Sequence, residues 1–190
     1  MLIILLTGCS NYNELDNLTI IKSIGISYQE KYTLYAEIID EIDKNNIPKT
    51  KIISVESDNI SELFQEIEKK VNKEIFFSHI DLILFDFTLK NNNYKEIIQF
   101  FLNNSEFRND FYTIFTEDIQ NILQNTKYDE IEKLIQTKEV PKISFEEIIS
   151  QYINNQEFTL PKITLDKEIN FEGIYHYKNN QYERIKNEKD

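Results

Sequence analysis

Few residues in this chain are of a type that does chemistry, and their spacing limits what they could do. Phe77-Ser78-His79-Ile80-Asp81 places a hydroxyl, an imidazole and a carboxylate close together, ahead of an apolar segment that ends at Asp86. A hydrolase could use His79 with Asp81 or Asp86. Catalytic triads, however, are assembled across a fold rather than along a chain. The expected roles are therefore structural: a satisfied histidine at position 79, and carboxylates marking the two ends of a strand. The adjacent pairs Asp40-Glu41, Glu117-Asp118, Asp129-Glu130 and Glu146-Glu147 fall mostly at helix starts, where the helix dipole favours negative charge. Acid–base catalysis would instead need two carboxylates meeting in a cleft with their pKa values pushed apart. His176, between Tyr175 and Tyr177, is expected at the surface. Asp40-Glu41-Ile42-Asp43 lacks the glycine and distal glutamate of a calcium loop. Gly8, Gly25 and Gly173 are too far apart to cradle a phosphate. Two His and one Cys do not compose the usual zinc site. No catalytic residue, no metal site and no cofactor is expected.

Charge narrows the choice of partners. Asp and Glu number 33 against 21 Lys and Arg, a net charge of −12 over 190 residues. Nucleic acid is disfavoured as a partner, because its binding needs clustered cations that release counterions. A basic face lying on anionic lipid is disfavoured for the same reason.

The remaining reactive group is the lone thiol, Cys9. Met1 to Leu6 is an unbroken apolar run, followed by Thr7, Gly8 and Cys9. It is far shorter than the roughly 20 residues that cross a bilayer. It opens without a cation and falls short of the secretory apolar region of about 7–15 residues. Its ending, Leu6-Thr7-Gly8-Cys9, looks like a bacterial lipobox. The small residues let the backbone enter a protease cleft, and the thiol takes a diacylglyceryl group. Residues 1–8 are thus expected to be a lipoprotein signal peptide, with Cys9 the lipidated first residue. Two signals, or two acyl chains, give stable anchoring where one chain is marginal.

The elements that would position these residues follow from periodicity. Residues 9–18 read as a tether. Strands are expected at 19–28, rich in β-branched residues, at 32–42, with Leu34, Ala36 and Ile38 on one face, and at 51–55. A helix follows over 59–73, with Ile60, Leu63, Phe64, Ile67 and Val71 on one face and Asn59 at its cap. The nearly all-apolar stretch 80–87 reads as a central strand covered on both faces. A helix over 94–102, a strand over 111–115 and short helices near 118–123 and 129–135 come next. Ser144-Phe145-Glu146-Glu147 is a capping box, with Ile143 and Ile148 as its staple, opening a helix over 145–153. Residues 154–161 read as a polar joint. Strands at 163–165 and 171–177 are followed by a hairpin turn at Asn179-Asn180. The class is α+β, with a mixed, largely antiparallel sheet and several packed helices. Residues 19–160 are expected to form the N-terminal domain.

Four segments in this order resemble a known family. Leu6-Thr7-Gly8-Cys9 leads through Asn13-Glu14-Leu15 into Leu18-Thr19-Ile20-Ile21. Ile24-Gly25-Ile26 matches a strand end, with Ser23 and Ser27 where Gly and Asp are usual. Phe77-Ser78-His79-Ile80 runs into Leu82-Ile83-Leu84. Phe100-Phe101-Leu102, with Glu106 and Arg108, precedes Tyr112 to Phe115. Later, Leu160-Pro161 and Phe171-Glu172-Gly173-Ile174 resemble the start of the next domain. The chain resembles the C subunit of bacterial spore nutrient-germinant receptors, the Ger(x)C-type lipoproteins, over residues 6 to about 185. The match spans about the N-terminal half of a typical member, which implies that 161–190 is the truncated start of a second domain; Ser10 stands where an aromatic is usual.

The resemblance implies a non-enzymatic receptor subunit acting in spore germination. It would be tethered through Cys9 to the outer face of the spore inner membrane or the cell membrane, and would work with the integral membrane A and B subunits. The alternative is a lipid-anchored solute-binding or envelope-maintenance lipoprotein.

Overall fold

The computed structural model describes residues 18–42, 48–71, 73–126 and 128–185. The lipobox residues Leu6, Thr7, Gly8 and Cys9, nearly all of the tether, and 186–190 lie outside the described residues.

The chain opens with a meander: β1 (Leu18–Tyr28), β2 (Tyr32–Ile42) and β3 (Pro48–Ser57), each antiparallel to the last. Then come α1 (Ile60–Val71), a short β4 (Glu74–Phe76), a 3-10 turn (Phe77–His79) and β5 (Leu82–Asp86). Next are α2 (Asn91–Asn103), β6 (Tyr112–Thr116), α3 (Ile119–Asn125), α4 (Tyr128–Gln136) and α5 (Phe145–Asn155). The final segment is β7 (Phe158–Leu165), β8 (Ile169–Lys178) and β9 (Gln181–Arg184). One mixed sheet runs β3-β2-β1-β5-β6-β7-β8-β9, with β4 beside the start of β1. Parallel pairs join β1, β5, β6 and β7 at its centre, and longer antiparallel pairs form both flanks.

Helices cover both faces. Helices α1, α2 and α5 bury Leu63, Ile97, Phe101, Phe145 and Ile148 against Ile24, Leu34, Ile83 and Phe85. Helices α3 and α4 bury Ile119, Ile122 and Ile131 against Leu82, Leu84 and Ile163. Leu82, Ile83, Leu84 and Phe85 are all fully buried, which is why β5 reads as a continuous apolar run rather than an alternating one.

The local signals act as their chemistry requires. The Glu62 amide donates to Asn59 Oδ1 at 2.9 Å, and the Asn121 amide to Asp118 Oδ1 at 3.0 Å. Around Ser144 the bonds are reciprocal: the Glu147 amide donates to Ser144 Oγ at 3.3 Å, and the Ser144 amide to Glu147 Oε1 at 3.2 Å. Asn179 and Asn180 adopt φ of +51° and +62°, the left-handed pair that a tight hairpin turn needs and that asparagine tolerates.

Several boundaries differ from the sequence expectation. Helix α2 starts three residues early, at Asn91, because Asn93 Oδ1 turns back to accept from the Lys90 amide at 2.8 Å. The stretch expected as a joint up to residue 161 contains the first half of β7. Pro161 is accommodated beside a register irregularity at Lys162/Ile163, where the lost amide donor breaks least of the ladder. The boundary set at 160/161 thus falls inside β7. Strands β7 to β9 continue the same sheet through the Phe115–Lys162 pairing, and Phe158, Leu160 and Tyr177 lie in the same core as Ile24. β4 and the 3-10 turn had no sequence counterpart, being three residues each and without measurable period.

Candidate functional site

The residues with chemical potential are distributed by β5. Asp81 precedes that strand and Asp86 ends it, so at about 3.3 Å per residue they stand roughly 16 Å apart. Asp86 Oδ1 accepts from the Thr88 amide at 2.7 Å, which fixes the turn after the strand. His79 is exposed at the end of the 3-10 turn, its ring 4.9 Å from that of Phe76. The structure does not bring His79, Asp81 and Asp86 together. Among the described residues no hydroxyl is hydrogen bonded to His79, and no group of three His, Cys, Asp or Glu side chains could hold a metal ion.

Asp81 instead belongs to a charged depression of about 290 Å3 at the N-terminal ends of β5 and β6. Lys22 of β1 donates to Asp81 at 3.1 Å, and its ammonium lies 5.7 Å from the centre of the Tyr128 ring. Arg108 pairs with Asp110 through Nε at 3.1 Å and a second nitrogen at 2.5 Å. Lys142 lies 5.1 Å over the Tyr112 ring. Burial, and then the charge of Asp81, raise the pKa of the Tyr128 hydroxyl, which stays protonated at neutral pH. The Arg108 guanidinium holds the Asp110 carboxyl below the usual range. The cations are engaged by neighbouring carboxylates and rings. Such partly exposed pairs contribute only about 0–1 kcal/mol each. The depression presents charges of both signs and no nucleophile paired with a base.

Two buried charges lie elsewhere in the sheet, and no sequence motif marked either. Lys162 of β7 is 5% exposed. Its ammonium donates to Glu117 at 2.7 Å and pairs with Glu172 at 2.8 Å, while lying 4.8 Å from the Phe87 ring centre and 5.1 Å from that of Tyr175. Burial pulls its pKa down, but the two carboxylates outweigh burial and the net shift is upward. A buried cation is tolerated only when paired and hydrogen bonded in this way. The sequence offered only a lysine between the stretch read as a polar joint, ending at Pro161, and the strand read from residue 163.

Glu37 of β2 is 2% exposed. Its carboxylate accepts from the hydroxyls of Ser23 and Thr50 on the flanking strands. Burial raises its pKa; the hydroxyls oppose that, Asp129 of α4 adds to it and Lys22 subtracts. The proton is held more tightly in the folded state than in the unfolded one. Stability therefore falls as pH rises from the ordinary carboxylate range through the raised folded value, and stays at the lower level above it. Glu37→Gln keeps a partner for both hydroxyls and cannot ionise. We expect its melting temperature at pH 7 to exceed that of the unsubstituted chain by a few degrees, with the gap closing toward pH 4. Thermal unfolding at several pH values checks this, and a gap independent of pH would remove the linkage.

Residues 11–165 match the family described as Spore germination protein N-terminal domain. Spore germination protein KC of Bacillus subtilis (strain 168) is 27% identical over 144 residues, which cover 70% of this chain and 34% of that protein. The chain thus spans about a third of the length of this relative. A crystal structure of an uncharacterized protein with similarity to peptidase YEAZ from Pseudomonas aeruginosa aligns over 89% of this chain and 64% of its own. At 8% identity and a TM-score of 0.29 that likeness carries no argument. The family match takes in every element from β1 through β7, including the strand-end glycine at position 25 and the turn that carries His79. This chain belongs to the spore germination protein N-terminal domain family.

Proposed function

We propose that the chain is a lipid-anchored, non-enzymatic subunit of a spore nutrient-germinant receptor, acting with the integral membrane A and B subunits in triggering germination. The observation that carries this reading is the family match over residues 11–165. The similarity to a spore germination protein of Bacillus subtilis supports it. Attachment is assigned to Cys9, the chain's single cysteine, because it ends the lipobox-like Leu6-Thr7-Gly8-Cys9 segment; among the described residues no helix is long and apolar enough to cross a membrane. Anchoring holds the domain beside its membrane partners and raises its effective concentration there, with no new contact needed.

The test is a gene deletion in a strain stripped of other receptor copies, followed by spore refractility after nutrients are added. Calcium dipicolinate serves as the receptor-independent trigger. Loss of the nutrient response alone is expected, restored by the unsubstituted gene and not by Cys9→Ala. A nutrient response unchanged by the deletion overturns the receptor reading. Full rescue by Cys9→Ala overturns the anchor alone.

A further inference from the structure

A cavity of about 220 Å3 lies between α1, the C-terminal end of α2, the turn after α2 and the 3-10 turn. Its floor is phenylalanine, and Ser61, Gln65 and Asn104 share its walls. Phe64 and Phe100 stack with ring centres 4.7 Å apart, and Phe107 meets them edge-on at 5.0 and 5.4 Å. Phe77 closes the base, 5.5 Å from Phe64. Phe64, Phe77 and Phe107 are buried, and Phe100 is half-buried with one side on the cavity.

The mouth is acidic. Glu68 stands on α1, one turn beyond Phe64, and Glu106 at the tip of the turn that Phe107 ends. Neither carboxylate has a hydrogen bond or ion pair with another described residue. Burial raises the pKa of Glu68, and the charges of Glu106 and Glu74 raise it further. The neighbouring cations of α1 are committed elsewhere: Lys69 to Glu66 at 2.6 Å, and Lys70 to the Ser54 carbonyl at 2.8 Å.

An aromatic-floored slot with two carboxylates at its lip selects for one chemistry. A purely apolar anchor would fill the slot but bring two repelling charges closer to low dielectric, which costs free energy. An acidic group would be repelled. A long cationic side chain satisfies both parts at once: its methylene stem lies on the rings, the electron-rich ring faces attract its charge, and its nitrogens reach the carboxylates. We propose that this cavity is a docking site for one arginine or lysine side chain presented by a partner protein, the stem against Phe64 and Phe100 and the cation between Glu68 and Glu106. The net charge of −12 steers cationic surfaces toward the chain from a distance. This proposal stands apart from the lipid-anchor and receptor readings.

The test uses the full chain with 13C-labelled phenylalanine and a blocked pentapeptide, acetyl-Gly-Leu-Arg-Leu-Gly-amide. Its counterpart carries citrulline in place of arginine, which has nearly the same shape and no charge. Titration of the arginine peptide is expected to move the ring signals of Phe64, Phe100 and Phe107 before others. The citrulline peptide should bind about tenfold more weakly, as should the arginine peptide to Glu68→Gln/Glu106→Gln; that ratio is typical for losing a charge-assisted contact. Both substitutions are at the surface, and an unchanged melting temperature shows that the fold is kept. Equal affinity for the two peptides, shifts centred elsewhere, or no shift at millimolar peptide would each overturn the proposal.

Discussion

Phe101→Ala is expected to destabilise the chain by about 3–5 kcal/mol, the range for removing a buried phenylalanine when the surroundings cannot collapse. Phe101 is 1% exposed on the inner face of α2. Its ring lies 4.9 to 6.0 Å from those of Phe64, Phe100, Phe107, Phe111 and Phe145. Those five rings come from α1, α2 itself, the loop after it and the start of α5, so one side chain joins elements far apart in sequence. Most of the contacts are edge-on or tilted, which the ring quadrupole favours, each adding about 0.5–1.5 kcal/mol beyond area burial. Against a total stability of about 5–15 kcal/mol the loss is a large fraction, and the melting temperature should fall by about 10 °C. The next residue on the helix provides the control. Leu102 is 50% exposed, and Leu102→Ala should stay within about 0.5 kcal/mol. Denaturant unfolding of both variants decides the matter: a Phe101→Ala loss below about 2 kcal/mol would mean that the rings repack around the hole.

The aromatic cluster also shows what was legible in the sequence. Helical spacing placed Phe64 on the inner face of α1 and Phe101 on that of α2, because an amphipathic period fixes which side of a helix is buried. It could not say that the two faces meet, since that depends on the crossing from β4 into β5. Strands β1, β2 and β5 were legible for local reasons: β-branched content in the first, alternation in the second and an unbroken apolar run in the third. Capping at Asn59 and Ser144, the helix start near Asp118, and the paired asparagines at 179 and 180 were legible because each is settled within a few residues. Pro161 and Lys162 concealed the start of β7, since a proline and a cation read locally as loop. Only the pairing of Lys162 with Glu117 and Glu172, 45 and 10 positions away, makes them acceptable in a strand.

The candidate site was legible in part. Asp81 and Asp86 do bound β5, and the carboxylates at 118 and 146–147 do sit at helix starts. Glu37 was read as one position of a strand. Its burial follows from helix packing over that part of the sheet, with α3 against β1, β2 and β3, contacts that β2 alone does not encode. The acidic lip formed by Glu68 and Glu106 has the same character. Each residue is an ordinary exposed glutamate in sequence, and they meet only because α1 and the turn after α2 lie side by side.

Gly25 carries the second large effect, and its role is closeness rather than turning. It sits mid-strand in β1 between Tyr35 of β2 and Leu84 of β5. Its φ is not among the positive values of the chain, so the backbone itself would admit any residue. The space would not. A Cβ added at position 25 would stand 2.1 Å from Ile119 Cγ2 and 3.3 Å from Ile119 Cβ. Ile119 is 3% exposed at the first position of α3, and Asp118 caps that helix. The clash falls on Cγ2 and Cβ, next to the backbone, so turning the far end of the side chain does not relieve it and the start of α3 must shift from the sheet. Gly25→Ala should cost about 1–3 kcal/mol as overpacking. Ile119→Ala alone should cost about 2–5 kcal/mol as a cavity. Combined, the two changes should cost less than their sum by about 1 kcal/mol or more, since the new methyl enters the space the old one left and contacting residues couple by about 0.5–3 kcal/mol. Urea unfolding of the four chains measures that coupling. Additive losses would mean that α3 does not rest on β1 at position 25. A clear positive coupling would explain in physical terms why the Ile24-Gly25-Ile26 strand segment carries a glycine: a larger residue there would unseat the helix that covers β1, β5 and Glu37's side of the sheet.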